Sequence, residues 1–167
     1  MERLWTPWRR AFIEGAATTT PDGEACFLCT SPAAGDDRAN LILFRAERVF
    51  VLLNRYPYNN GHAMVAPYVH EGDLIRLDRA TAAELMHSTQ RTVAALQAEY
   101  RPQGFNVGMN LGRPAGAGVP DHLHIHVVPR WSGDTNFMPI VGNTKVLPET
   151  LEQTYDRLAP RLRQAVD

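Results

Sequence analysis

No stretch of this 167-residue chain approaches the roughly eighteen consecutive apolar residues that a membrane-spanning helix requires, so none is expected. Met1 to Arg10 is polar and tryptophan-rich and lacks the apolar centre of a secretory leader. Charge of one sign is not in excess either. Seventeen basic residues against eighteen acidic ones leave a net charge of −1, which gives no global field toward nucleic acid or an anionic membrane. Cysteine is scarce: the only two stand in one unit, Cys26-Phe27-Leu28-Cys29. In a reducing compartment such a pair serves metal or redox chemistry more readily than a structural crosslink, and the chain reads as cytoplasmic. There is no internal repeat and no low-complexity tract. What is present is an ordinary globular balance, 44% apolar and 21% charged, which excludes a disordered or fibrous chain and suits one compact domain.

Residues 1–40 carry little periodicity. Pro21-Asp22-Gly23 and Ser31-Pro32-Ala33-Ala34-Gly35 read as turns bracketing the cysteines, in an irregular arm with a short helix around Trp8 to Ile13. The pattern changes at Leu41. Leu41-Ile42-Leu43-Phe44 and Val49-Phe50-Val51-Leu52-Leu53 are β-favouring runs. Tyr56 to Gly61 is rich in Pro, Asn and Gly and reads as a turn, after which His62 to Pro67 returns as a strand. Thr81-Ala82-Ala83-Glu84 has the form of a capping box, and Leu85, Thr89, Val93, Leu96 and Tyr100 follow on one helical face until Arg101-Pro102. Phe105 to Asn110 and Leu123 to Val127 alternate as strands. A last helix is expected from Pro148, with Leu151, Tyr155, Leu158 and Leu162 in one stripe and Pro160 bending or ending it. The sum is an α+β chain: an antiparallel sheet with one long helix packed on it and a C-terminal helix. Its parts are an arm over 1–40, a body over 41–147 and the last helix over 148–167.

The chemistry concentrates in Asp121-His122-Leu123-His124-Ile125-His126-Val127-Val128. Side chains two apart on a strand share a face, roughly 6–7 Å from one another, so the three histidines line one side while Leu123, Ile125 and Val127 point to the core. A lone histidine is usually a satisfied core or surface residue; three in strict alternation are not explained that way, because each buried imidazole needs a partner. Histidine offers nucleophilic or acid–base chemistry near neutral pH, or metal ligation. Just upstream, Gly112-Arg113-Pro114-Ala115-Gly116-Ala117-Gly118 has glycines that let backbone amides approach an anion. Alone it would read as a flexible loop. Placed before the histidines, it suggests imidazole attack on phosphorus.

His122-Leu-His124-Ile-His126-Val-Val resembles the histidine triad of the HIT superfamily, in which apolar residues alternate with the histidines. Leu53 to His62 is similar to the strand, turn and Gly-His of its fragile-histidine-triad branch. Gly104 to Gly112, Pro129 to Phe137 and Leu4 to Arg9 look most like the bacterial diadenosine tetraphosphate phosphorylase-like members. The resemblance implies a HIT-like fold, a homodimer and an enzyme cleaving dinucleoside polyphosphates at the α-phosphate. By that resemblance His124 would become nucleotidylated. His126 and the amides of Gly116, Ala117 and Gly118 would hold phosphate oxygens, and His62 would support the triad. Asn54 would bind ribose, Leu52 and Met64 would flank the base, and Asn110 would lie near the leaving group. The phosphate loop departs from the better-known branches: it is one residue longer and lacks the serine or threonine that assists the leaving group.

Cys-X-X-Cys is half of a tetrahedral zinc site, or else a reduced or redox pair. In some HIT relatives two histidines complete the metal site, and the matching residues here are His70 and His122, which implies a structural zinc joined to Cys26 and Cys29. His87 reads as solvated surface, and Trp5, Trp8 and Trp131 as interface or core aromatics rather than a base-stacking platform. Three functional classes stay open at this stage. The first is a nucleotide phosphorylase or hydrolase, with an adenosine phosphoramidate hydrolase as a related form. The others are a zinc-stabilised non-catalytic nucleotide-binding module and a metalloenzyme using the histidines around zinc.

Overall fold

The computed structural model describes residues 26–134 and 147–164. Trp5, Trp8 and the short helix expected at Trp8 to Ile13 lie outside them. Ten described elements follow along the chain. Helix α1 spans Phe27–Ala33, and strands β1 (Ile42–Arg45), β2 (Val49–Leu53) and β3 (Ala63–Pro67) follow. A 3-10 turn at Leu74–Arg76 leads into the long helix α2 (Arg79–Tyr100). Next come β4 (Gly104–Gly108), a second 3-10 turn at Arg113–Ala115, β5 (Ile125–Arg130) and α3 (Leu151–Gln164). The strands form one antiparallel sheet in the order β1-β2-β3-β5-β4. No helix among the described residues is long and apolar enough to cross a membrane.

The two faces of the sheet are covered by different partners. Val49, Val51 and Leu53 of β2, Ala63 and Val65 of β3, and Leu123, Ile125 and Val127 join Leu85 and Leu96 of α2 and Leu158 and Leu162 of α3 in the larger core. The intervening residues Phe50, Leu52, Met64 and Ala66 pack on the opposite face with Leu28 of α1, Ile42 and Val119. The alternation in β2 and β3 is therefore real even though every residue of both strands is buried. His126 pairs with Met64 across the β3–β5 ladder, which sets the histidines on the α1 face.

Several local expectations are corrected. α2 starts three residues before the position the capping-box pattern indicated: Asp78 is the N-cap and accepts from the amides of Ala80 and Thr81, each at 3.0 Å. Glu84 instead accepts from the amides of Glu47 and Arg48, at 3.3 and 2.6 Å, clamping the β1–β2 turn to the helix. Ser31, Pro32 and Ala33 are not a turn but the end of α1. Pro160 does not end α3, which continues to Gln164. It lies on the solvent side, where water can serve the carbonyl its missing N–H leaves, while buried Leu158, Ala159 and Leu162 hold the helix down.

Candidate active site and metal centre

The turn before β3 fixes His62. Gly61 adopts φ +75°, and a Cβ there would lie 2.8 Å from Leu96 Cδ2, so this tight corner requires glycine. Asn59 donates to the Pro129 carbonyl at 3.1 Å and to Asp134 Oδ2 at 2.9 Å; Asn60 donates to Glu149 Oε2 at 3.0 Å. The turn is thus tied to the end of β5 on one side and to the approach of α3 on the other. His62 itself is 1% exposed.

Hydrogen bonds assign the tautomers. The Tyr58 amide donates to His62 Nδ1 at 3.0 Å, so the proton of His62 sits on Nε2. That nitrogen meets His126 Nδ1 at 3.0 Å, which must accept, leaving the His126 proton on Nε2. His124 Nδ1 lies 2.9 Å from the His122 carbonyl, which can only accept; the lone pair of His124 is therefore on Nε2. The His124 and His126 rings meet edge to face with centroids 4.8 Å apart. One imidazole thus holds a lone pair and its neighbour an N–H, side by side.

Both rings line a cavity of about 310 Å³ with Leu52, Asn54, Met64 and Gly118. Phe27, Ser31, Asn40, Arg55, Tyr56 and Val119 complete much of the wall; Phe27 and Ser31 of α1 and Asn40 reach it only through the fold, whereas Arg55, Tyr56 and Val119 directly follow Asn54 and Gly118 in the chain. Asn54 is 8% exposed; its Oδ1 accepts from the Tyr56 amide at 2.8 Å and its amide nitrogen faces Met64 Sδ at 3.6 Å, a weak acceptor.

The glycine loop differs from the nest expected of it. The Gly116 amide donates to Arg113 O at 2.9 Å and the Ala117 amide to Gly112 O at 3.3 Å, so both are engaged within the loop. Asn110 donates to the Gly116 carbonyl at 3.3 Å and pins the loop. Asn110, Gly116 and Ala117 do not line the cavity; Gly118 does. A 3-10 turn had closed on the amides that composition alone left available.

The first histidine of the trio has separate partners. His122 is fully buried, and its Nδ1 lies 3.4 Å from Cys26 Sγ, from Cys29 Sγ and from His70 Nδ1. Cys29 Sγ and His70 Nδ1 are also 3.4 Å apart, and all four donor atoms fall within 4.8 Å of one another. Tetrahedral zinc with sulfur at about 2.3 Å and nitrogen at about 2.05 Å spaces its ligands by about 3.3–3.8 Å, so this donor set fits. The far nitrogen of His122, Nε2, donates to the Pro67 carbonyl at 2.9 Å, which orients the ring and frees Nδ1 for a metal. Burial drives the His122 pKa down to about 4, and burial followed by neighbouring Cys26 drives the Cys29 thiol up to about 11. Two soft sulfurs and two imidazoles supply all four tetrahedral positions and leave none for water, the pattern of a structural rather than a catalytic zinc.

A sheet with one long crossing helix, two imidazoles beside a cavity and a third histidine drawn into a Cys2His2 set define a histidine-triad protein. The HIT domain model matches residues 37–133, and the chain belongs to the HIT family. It is 42% identical over 167 residues to the AP-4-A phosphorylase of Mycobacterium tuberculosis, covering 95% of this chain and 83% of that one. Among solved structures it resembles a Zn-bound histidine triad family protein from Mycobacterium smegmatis, with TM-score 0.67, 25% identity and coverage of 84% and 94%. A hypothetical histidine triad nucleotide-binding protein from Sulfolobus tokodaii matches with TM-score 0.65, 26% identity and coverage of 83% and 90%.

Proposed function

We propose that this protein cleaves dinucleoside polyphosphates of the diadenosine tetraphosphate type at an α-phosphate, through a covalent nucleotide on His124. The observation that carries the reading is the 2.9 Å contact between His124 Nδ1 and the His122 carbonyl, which keeps the lone pair on Nε2 at the cavity. Nε2 attacks the α-phosphorus, and the bond from phosphorus to the bridging oxygen of the leaving nucleotide breaks. The His126 Nε2–H donates to an oxygen of the phosphoryl group and stabilises its developing charge. In the second step an oxygen of orthophosphate attacks phosphorus, the P–N bond breaks and a nucleoside diphosphate leaves. Gly118 supplies backbone contact to the phosphates, Asn54 exchanges its thioether contact for a ribose hydroxyl, and Leu52 and Met64 flank the base.

Phosphate as acceptor is favoured by the 42% likeness to a protein named AP-4-A phosphorylase. Incubation with diadenosine tetraphosphate tests it: phosphorolysis yields ADP plus ATP only when orthophosphate is present, whereas AMP plus ATP in its absence marks hydrolysis. His124→Ala is expected to abolish turnover and keep AMP binding. Retained turnover would refute the assignment. Zinc on Cys26, Cys29, His70 and His122 keeps those four side chains in place and takes no part in these steps. The reading also includes a homodimer in the cytoplasm. β4 ends the sheet with Val107 48% exposed, an edge suited to a second copy, and sedimentation would give the mass.

A further inference from the structure

Helix α1 belongs to the metal centre and to the cavity at once. Cys26 and Cys29 bear the two sulfurs, while Phe27 and Ser31, one turn apart on the same helix, form cavity wall. We infer that the metal centre is a strut for the nucleotide pocket: metal on Cys26 and Cys29 holds α1 so that Phe27 closes one side of the cavity, and occupancy of the metal site sets nucleotide affinity. This rests on the cavity being a nucleotide site.

The anchoring of the four ligands is unequal, and that inequality locates the effect. His122 keeps its place without metal through the Pro67 carbonyl at 2.9 Å, and its neighbour Leu123 donates from its amide to the Glu71 carbonyl at 2.7 Å. The carbonyl that fixes the His124 tautomer is therefore held through Pro67, the last residue of β3, and through the Glu71 carbonyl in the loop that follows. α1 has seven residues, and its N-cap Cys26 makes no side-chain capping bond. A helix of that length is not stable by itself. Besides the sulfurs it is fastened by buried Leu28 and by Arg45 donating to the Pro32 carbonyl at 2.8 Å. Metal loss thus releases α1 before it disturbs His124, and binding weakens where chemistry persists.

The test compares zinc-loaded full-length protein with the same protein stripped by chelator. Three quantities are measured: zinc content, AMP affinity by calorimetry, and hydrogen exchange. Stripping is expected to raise the AMP dissociation constant about tenfold, the scale of losing one aromatic contact, and to deprotect the amides of residues 29–31, 33 and 34 with β2 and β3 unchanged. Phe27→Ala with zinc bound should weaken AMP to a similar extent, and stripping that variant should add little. By reciprocity AMP must tighten zinc retention by the same factor that zinc tightens AMP. Equal AMP affinity with and without zinc overturns the inference. So does an unaltered affinity in Phe27→Ala, or deprotection of the whole sheet on stripping. Failure of the loaded wild-type protein to bind AMP at all would instead overturn the functional reading on which this one stands.

Discussion

Gly61 is the residue on which the imidazole relay turns. Its φ of +75° and the 2.8 Å approach to Leu96 Cδ2 leave no room for a side chain. Gly61→Ala is expected to lose about 1–3 kcal/mol of stability, from backbone strain together with overpacking against α2, and to lower turnover by displacing His62. Urea unfolding reads the first effect and diadenosine tetraphosphate cleavage the second; a variant as stable as the parent would show that the corner can relax. The relay has a direction. Its first donor is the Tyr58 peptide N–H, which does not ionise, so His62 orients His126 without feeding it protons. Asn54 illustrates a similar economy, since one side chain builds the turn through Oδ1 and presents its amide to the pocket.

At the scale of elements, the segment from His70 to Asp73 straps the metal centre to the approach of β5. Gly72 sits against the backbone of Pro120 and Asp121, and a Cβ would come within 2.9 Å of Asp121 Cα. Gly72→Ala should therefore push His70 away from His122 and weaken zinc binding about tenfold or more, measured by competition with a chromophoric chelator. Unaltered zinc affinity would mean that the strap gives way elsewhere. The elements themselves were largely legible. Strands at β1 to β3, the face of α2 at Leu85, Thr89 and Leu96, and the alternating histidines all follow from local periodicity. What was not legible depends on long-range partners. Glu84 has the spacing of a capping box but is claimed by the β1–β2 turn. Ser31-Pro32 has turn composition but is held helical beside Leu28 and the cysteines, and Pro160 is tolerated because its neighbours are buried. The glycine loop looked like a set of available amides until its own turn took two of them. The division of the three histidines between metal and cavity was given by likeness to the family; alternation alone placed them on one face and could not divide them.

For the whole molecule, the buried His122 links stability to acidity. In metal-free protein its pKa of about 4 when folded lies below the ordinary 6.5, so between these values the unfolded chain binds a proton that the folded chain refuses. Stability is retained above pH 6.5 and falls by about 3 kcal/mol as pH drops through about 4. Urea unfolding of stripped protein at pH 7 and pH 4 measures the fall, and His122→Asn should lack that share of it. With zinc offered at pH 7, the protons released should come from thiol, since Cys29 is protonated below about 11 while His122 has none to give. Calorimetry in buffers of differing ionisation enthalpy counts them. One further consequence lies in the numbering of the sheet. Positions 49, 51, 53, 63, 65, 123, 125 and 127 all turn to one side, and 50, 52, 64, 66 and 126 to the other. Odd residues pack toward α2 and α3, and even residues face α1 and the cavity. Deleting a single residue inside β5 would exchange the two sets, setting imidazole among leucines and offering isoleucine to a phosphate, so length variation in this chain can be absorbed between strands but not within them.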